Sequence, residues 1–487
     1  MTGFSETPPI EPIVPKHHLR LLDDGQLNDL KQATLTILDQ VGFHCPSEKA
    51  LRIYADYGGQ VDFENQLVRL APELVEKAMS QAPRFYTMAA RSPEHDINLD
   101  GTATYCATDG CGIETIDFAT RARRNSQKED VAKMARVSDY LSSIAFYWPI
   151  VSAQDFPETA PLHELQASFE NTVKHIQTET VMDEVMAWHA VDMATVVAGD
   201  KQKLRQRPVL SSLICTISPL AQDKGGLESA LVFAEAGLPV GFMSMANVGS
   251  TGPATIAGTI VEADAEIIAA LVLIQLAFPG APVYHSLMPG IMHPRTGAYL
   301  ATTWEGSAIY AYGTEIAHHW GVPTLAGVFG TDGQVPGWQS AAEAASSLMM
   351  CVLCGADTGA GLGLLEGCML LYPEALVLDS DIYHRVRIEA GGLDTSQEML
   401  ALDVIRRVGP RGNYLSQKHT RTHMRKRQFS DLVAQLLPDG SMRDPIEVAR
   451  EKVEYILNHH YPQPLEPEKR RELERILQQA EKDLVQA

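Results

Sequence analysis

The stretch VPTLAGVFGTDGQVPGWQ, residues 322–339, decides the fold that we predict for this chain. An apolar run of strand length, 322–329, passes into the polar loop GTDGQ, and a helical pattern begins near Gln339. In parallel α/β proteins the loops at the carboxyl ends of the strands carry the reactive groups. If the chain alternates strand and helix elsewhere, Asp332 and Gln334 lie at the mouth of a pocket.

The same alternation recurs along the chain from about residue 101, where eight apolar or β-branched runs are separated by stretches with helical spacing. The predicted strands are 102–108, 145–152, 172–178, 208–217, 239–246, 282–288, 322–329 and 358–365. Each parallel strand needs a crossover helix, and eight strands close a sheet without leaving an edge. We therefore predict an α/β fold, a (β/α)8 TIM barrel, with a doubly wound open sheet as the alternative.

The segments on either side of this barrel differ from it in pattern. Residues 1–100 combine a proline-containing extended segment with amphipathic helices, which predicts a helical N-terminal elaboration. The barrel is expected to occupy residues 101–392. Residues 393–487 are polar and helical in pattern, and we expect this extension to pack on the barrel or on a partner subunit.

Composition excludes several classes of function. The 487 residues carry a net charge of −21 without an offsetting basic stripe, so no nucleic-acid partner is expected. A cationic substrate or partner would suit this charge, although an acidic surface also serves solubility alone. The longest nearly apolar run, 267–278, is too short to span a bilayer, and the N-terminus has no apolar h-region. We expect a cytoplasmic protein.

The seven cysteines favour reduced thiols over disulfides or a metal centre. Their number is odd and most lie in apolar surroundings, as is typical of core thiols in a reducing compartment. Cys351 and Cys354 have CxxC spacing but lie within a helical run, and no second pair follows at zinc-finger spacing. Since HExxH and similar spacings are also missing from the sequence, we predict no metal site.

Polar and aromatic side chains stand near the predicted strand ends. Asp332 and Gln334 follow the seventh strand, and Glu366 follows the eighth within GLGLLEG, an apolar context that is atypical of a solvated surface charge. Aromatic faces beside carboxylates can bind a quaternary ammonium ligand, which has no N–H donor. The candidate substrate-binding residues are Tyr105, Gln177, Asn247, His285, Phe329 and Trp338.

Several long motifs occur in an order typical of one enzyme family. They include GSTGPATIAGTIVEADAEIIAALVLIQLAFPGAPV, FGTDGQVPGWQSAAEAA, GLGLLEGCMLLYPEALVLDSDI and GNYLSQKHTRTHMR. On these motifs the chain resembles, over about residues 20–435, the trimethylamine methyltransferase family of corrinoid-dependent amine methyltransferases. The resemblance implies a (β/α)8 barrel, homo-oligomers, and a separate corrinoid protein that docks over the barrel mouth. Since the DxHxxG signature of a corrinoid-binding chain is missing here, we expect the corrinoid (cobalamin) to be carried by that partner.

One departure from the family pattern bears on the substrate. In the trimethylamine-specific members the loop after the seventh strand carries pyrrolysine, whose electrophilic imine handles the amine, and Gln334 stands at that position here. Because glutamine cannot form such an adduct, the chain resembles the non-pyrrolysine branch, whose members demethylate quaternary amines such as glycine betaine, carnitine or proline betaine. A quaternary ammonium already has a neutral amine as its leaving group, so Co(I) can attack its methyl carbon without a general acid.

We therefore predict a methyltransferase that moves a methyl group from a glycine betaine-like quaternary amine to Co(I) of a corrinoid protein. Asp332 and Glu366 would supply the pocket's negative field, and Gln334 a hydrogen bond to a substrate carboxylate or to the corrinoid. Two alternatives remain open at this point: corrinoid-independent transfer of the methyl group to tetrahydrofolate, and a non-catalytic betaine-binding barrel.

Overall fold

An eight-stranded parallel barrel forms the centre of this computed structural model, which describes residues 4–433 and 435–485. The strands are β1 (Tyr105–Thr108), β2 (Ile144–Tyr147), β3 (His175–Thr178), β4 (Leu210–Cys215), β5 (Val240–Ser244), β6 (Val283–Leu287), β7 (Leu325–Gly327) and β8 (Thr358–Leu362). They follow one another around the sheet in chain order, and a parallel bridge between His285 and Thr324 closes the ring. Every observed strand overlaps a predicted one, so the (β/α)8 prediction is confirmed and the open-sheet alternative is wrong.

Helices follow every barrel strand and cover the outside of the sheet. In chain order the helices are α1 (Asp24–Thr36), α2 (Glu48–Asp56), α3 (Pro72–Met79), α4 (Lys128–Tyr140), α5 (Ala160–Asn171), α6 (Glu184–Ala198), α7 (Lys201–Gln206), α8 (Lys224–Ala236), α9 (Ile256–Ala277), α10 (Gly306–Trp320), α11 (Trp338–Leu353), α12 (Pro373–Ala390), α13 (Gln397–Leu400), α14 (Leu402–Val408), α15 (Lys418–Met424), α16 (Pro445–His459) and α17 (Pro467–Val485). Within residues 4–433 and 435–485, no helix combines the length and the apolar character that crossing a bilayer requires.

Short strands close the amino end of the barrel and extend its carboxyl end. The antiparallel pair Tyr86–Met88 and Ile97–Leu99 contributes apolar side chains to the cluster inside the barrel, where they lie with Tyr105. The amino end is thereby filled, so a ligand enters from the carboxyl end, which we call the mouth. The remaining short strands are Phe43–His44, Gln60–Asp62, Leu67–Arg69, Glu114–Ile116, Arg123–Asn125, Asn247–Val248, Gly290–Met292, Tyr299–Leu300, Leu364–Leu365 and Leu370–Leu371.

One buried carboxylate at the amino end of the barrel joins distant parts of the chain. Asp139, at the end of α4, accepts hydrogen bonds from Thr7 (2.6 Å), from the Thr172 hydroxyl (2.7 Å) and from His460 (2.7 Å). Burial alone would raise the pKa of Asp139, but the His460 hydrogen bond and the nearby Lys174 outweigh it, so the pKa is lowered. The N-terminal segment and the segment after α16 are therefore held at the same point.

The segment 393–427, which we call the arm, has no core of its own. None of its residues is buried, and its helices α13 to α15 are only four to seven residues long. Its large exposed apolar side chains are Leu393, Met399, Leu400, Leu402, Ile405, Tyr414, Leu415 and Met424. Eight Lys and Arg against three Asp and Glu make the arm basic in an acidic protein.

Candidate active site at the barrel mouth

Three carboxyl groups lie at the mouth, and residues 4–433 and 435–485 provide no basic partner for them. Asp109 directly follows β1, Glu179 directly follows β3, and Asp332 lies in the loop after β7. Among the described residues, no Lys, Arg or His is one of the main influences on the pKa of these three groups. In each case burial is the largest influence, and it raises the carboxyl pKa. The mouth is thus acidic, and the described part of the chain supplies no counter-ion for these three carboxyls.

Glu179 lies between two thiols, one at the end of β4 and one in the loop after β1. Cys215, the last residue of β4, donates from Sγ to Glu179 Oε1 at 2.8 Å, and Cys111 donates from Sγ to Oε2 at 3.4 Å. Burial raises the pKa of Glu179 to about 7, and the Asp109 carboxyl adds to this effect while the thiols oppose it. Burial also raises the pKa of both thiols well above its ordinary value, so they remain neutral donors.

The loop after β1 is pressed against an aromatic wall. A Cβ added to Gly110 would lie 1.7 Å from the indole nitrogen of Trp148, so this close approach requires glycine. The Gly110 N–H donates to Asp109 Oδ1 at 2.7 Å. The residue that follows Asp109 therefore packs on Trp148, so a carboxyl and an aromatic side chain lie in the same part of the mouth, a combination that suits a cation.

Asp332 stabilises the antiparallel strand pair Gly290–Met292 and Tyr299–Leu300 beside the mouth. Its two carboxylate oxygens accept the N–H groups of Ala301 and Thr302, each at 3.1 Å, directly after the strand Tyr299–Leu300. The Tyr299 ring covers Gly290 so closely that a Cβ there would lie 2.1 Å from the ring. Burial is the main cause of the raised pKa of the Tyr299 phenol, with smaller contributions from Cys368 and Asp332. Asp332 thereby positions an aromatic wall of the mouth.

Glu366 lies farther out and is paired with a base. Its Oε2 is 2.8 Å from Arg123 Nη2, and Arg123 also pairs with Glu114. The Glu366 backbone has a φ of 53°, and its N–H donates to the Gly333 carbonyl at 2.9 Å. The Glu366 charge is therefore offset by Arg123, while its backbone holds the loop after β8 to the loop after β7.

The other predicted residues occupy different depths of the same end. Gln334 is exposed, and Trp338, the first residue of α11, is 87% exposed. Asn247 lies just beyond β5 and is buried, with an Oδ1 that lacks a hydrogen-bond partner within the described residues. Gln177 is buried inside the barrel, where it accepts a hydrogen bond from Tyr284 at 3.0 Å. Phe329 is also buried, at the end of the seventh predicted strand, with a φ of 59°.

The structure places two predicted substrate-binding residues away from the mouth. His285 lies on the outer face of β6, where its Nε2 is 2.9 Å from Asp264 of α9, because side chains alternate along a strand and its neighbour Tyr284 faces inward. Tyr105 is the first residue of β1 and lies at the closed amino end. The structure thus places these two candidate substrate-binding residues outside the mouth.

Sequence reasoning missed Glu179, Cys111, Cys215 and Tyr299. The signal for Glu179 was available, because inward-facing residues recur every second position and Gln177 was already assigned to the pocket. The cysteines were interpreted as core thiols from their apolar neighbours. Tyr299 lies in a long loop between β6 and α10, where no periodicity indicates which side chains turn back to the mouth.

Comparison with known proteins decides the family. The model of the trimethylamine methyltransferase (MTTB) family matches residues 5–484. The chain belongs to this family. Trimethylamine methyltransferase MttB of Desulfitobacterium hafniense is 32% identical over 451 residues, with 92% of this chain and 90% of that protein covered. Glycine betaine methyltransferase of Desulfitobacterium hafniense (strain Y51) is 28% identical over 479 residues, with 97% and 99% covered.

A solved structure agrees on the fold of this family member. The monomethylamine methyltransferase MtmB of Methanosarcina barkeri aligns with a TM-score of 0.53 and 11% identity, covering 92% of this chain and 89% of that one. At this identity the likeness bears on the fold alone. The predictions of the trimethylamine methyltransferase family and of methyltransferase activity are confirmed by the family match and the named relatives.

Proposed function

We propose that this family member takes a methyl group from a quaternary ammonium compound of the glycine betaine class and passes it to Co(I) of a corrinoid carried by a separate protein. The observation that carries the proposal is the mouth itself, where Asp109, Glu179 and Asp332 lie without a basic partner among the described residues. A substrate cation would supply the missing counter-charge. Trp148 and Tyr299 provide aromatic faces for a cation that cannot donate hydrogen bonds.

Two further facts favour a quaternary amine over trimethylamine. On the family resemblance, Gln334 takes the position at which the trimethylamine-specific branch carries pyrrolysine, and its amide cannot form an adduct with an amine. One relative over nearly its full length is named a glycine betaine methyltransferase. The exposed Gln334 side chain would then bind a substrate carboxylate or the corrinoid.

The proposed methyl transfer needs little acid or base catalysis from the residues of the mouth. One C–N bond of the substrate breaks, its electron pair stays on nitrogen, and the methyl carbon forms a bond to the cobalt of the acceptor. A neutral tertiary amine leaves, so no proton has to be delivered to it during the transfer. The contribution of the mouth is to hold one N–CH3 bond in line with the incoming acceptor. Because the positive charge disappears, a very tight ion pair with the substrate would oppose the reaction.

The rim of the mouth supports docking of the corrinoid protein there. Large apolar side chains are exposed around it, on loops that follow six of the eight strands. They are Ile113, Ile217, Met245, Trp304, Val335, Trp338 and Met369. Exposed apolar side chains gathered around a site are typical of protein docking surfaces. An acceptor protein covering this rim would also exclude water from the reacting groups.

The arm (393–427) supports assembly with a second copy of the chain. Helices of four to seven residues are unstable alone in water, so these helices need a surface to pack against. Their exposed apolar side chains would be covered by a partner, and their basic charge is complementary to the acidic remainder of another copy. We therefore propose a homo-oligomer in which the arm reaches the neighbouring subunit.

The function is tested by mixing the purified protein with cob(I)alamin and one methyl donor at a time. Glycine betaine, proline betaine, carnitine and trimethylamine are compared, and methylcobalamin is followed by absorbance. We expect methylcobalamin from a quaternary donor and none from trimethylamine. If demethylated product forms only when tetrahydrofolate replaces the corrinoid, the proposal of a corrinoid as the methyl acceptor is wrong. If donors bind but no acceptor yields a demethylated product, the barrel is a binding protein.

A further inference from the structure

Glu179 is a largely buried acid whose neighbouring carboxyl groups disfavour its charge, while two thiols donate to it. From the loop after β1 it faces Asp109 and Cys111, and from α5 it faces Glu164. The other neighbours with titratable groups are Cys215 from β4, Tyr284 from β6 and Cys368 from the loop after β8. The neighbours are thus carboxyls, thiols and a phenol, and none of them carries a positive charge.

The geometry around Glu179 suits a protonated acid in the empty site. Its direct donors are two thiols, which are weak donors and stabilise a full negative charge poorly. A protonated carboxyl can instead donate its O–H to one sulfur and accept from the other thiol. A largely buried carboxyl group with other carboxyls nearby, and with no counter-ion among the described residues, keeps its proton near neutral pH.

We infer that Glu179 exchanges its proton for the substrate: a quaternary ammonium group displaces the proton when it binds, and the proton returns when the methyl group has left. This inference rests on the proposed substrate class. On binding, the acid and the cation become a carboxylate–ammonium pair and one proton passes to solvent. After transfer the tertiary amine is neutral, the carboxylate has lost its counter-ion, and it takes one proton back from solvent.

This exchange removes a difficulty of the reaction. A permanently charged carboxylate would stabilise the cationic substrate more than the transition state, in which the charge is fading. An acid that ionises only beside the cation holds the substrate in place and then regains a favourable neutral form as the amine becomes neutral. Glu179 is thereby a specificity group as well, since a neutral donor provides no charge to displace its proton.

The test uses tetramethylammonium as the probe, because it carries the cation and nothing else. Calorimetric titration of the full-length protein at one pH, in two buffers of different ionisation enthalpy, gives the number of protons released per ligand bound. We expect a fraction of one proton at pH 7, nearer one at pH 6 and near zero at pH 8.5. On the acidic side the affinity should fall by up to about tenfold for each pH unit.

Two variants and a control sharpen the experiment. Glu179→Gln should abolish the proton release and flatten the pH dependence of binding, whereas substitution of the exposed Glu73 of α3, Glu73→Gln, should behave as the wild type. Cys215→Ser provides a second readout that does not depend on removing the acid. A hydroxyl donates to the carboxylate more strongly than a thiol, so the affinity–pH curve should move to lower pH. Thermal unfolding checks that each variant is folded.

The possible failures are distinguishable. If wild-type protein binds tetramethylammonium without releasing protons, or if folded Glu179→Gln still releases them, the proton exchange is wrong while the substrate class stands. If the wild type does not bind tetramethylammonium at any pH between 6 and 8.5, both the exchange and the proposed cationic substrate are overturned. The methylcobalamin assay reports on the reaction independently of either result.

Discussion

Replacing Asp332 by alanine should loosen the strand pair that carries Tyr299 without unfolding the barrel. The substitution removes the acceptor for two N–H groups, those of Ala301 and Thr302. Hydrogen bonds to a charged acceptor contribute about 1.5–3 kcal/mol each, and since Asp332 is only half-buried we take about 2 kcal/mol for the pair. A loss of that size makes local opening about 30-fold more frequent, given tenfold for each 1.36 kcal/mol.

Hydrogen exchange followed by mass spectrometry measures this opening directly in peptides that cover residues 299–302. The Asp332→Ala variant should exchange about 30-fold faster there and show a raised KM for the methyl donor. Asp62→Ala is the matched control, because Asp62 accepts the N–H groups of Glu64 and Asn65, both at 3.0 Å, in the distant N-terminal sheet. A raised KM with unchanged hydrogen exchange at 299–302 would show that Asp332 does not act by holding the Tyr299 strand pair in place. It would instead assign Asp332 a direct contact with the substrate.

Three further predictions concern the remainder of the chain. Asp139→Asn should lower stability by about 3–5 kcal/mol at pH 7 in urea unfolding, because it breaks a buried pair. Since the folded pKa of Asp139 is lowered, this stabilisation is present above the unfolded pKa of about 3.9 and is lost as pH falls below it, so the two proteins should converge in acid. Leu402→Asp in the arm should shift the mass measured by light scattering towards the monomer, whereas Phe63→Asp, equally exposed at 52% against 53%, should not. His285→Gln should lower the melting temperature and leave KM unchanged, because this side chain faces α9. A raised KM would indicate that His285 does contribute to substrate binding.

The barrel could be predicted from sequence because its signal is repeated. Each strand is a short apolar run between helical stretches, and eight repetitions leave little freedom in the topology. What the runs do not reveal is the inward or outward phase of each residue. His285 and Tyr284 are adjacent and both have polar atoms, yet only the contact with Asp264 shows which one faces the helices.

The site was harder to predict because it depends on contacts between distant loops. Asp332 was found from its place after a strand, but its partners Ala301 and Thr302 come from a long loop that carries no periodic pattern. Glu366 was expected to add negative charge, and the ion pair with Arg123 could not be read from either segment alone. Cys215 was interpreted as a core thiol because the predicted strand, 208–217, continued past it, whereas the observed strand ends at Cys215.

The buried carboxylate of Asp139 also bears on how the protein resists proteases. Its donors Thr7 and His460 lie 132 and 321 residues away in sequence, yet both donate hydrogen bonds to the same carboxylate. A cut that frees either segment leaves a buried charge with too few donors, which weakens the hold on the other segment as well. Release of one of these two segments should therefore lead to release of the other. Limited proteolysis should give intact protein and small fragments, and a product trimmed at only one end should not accumulate.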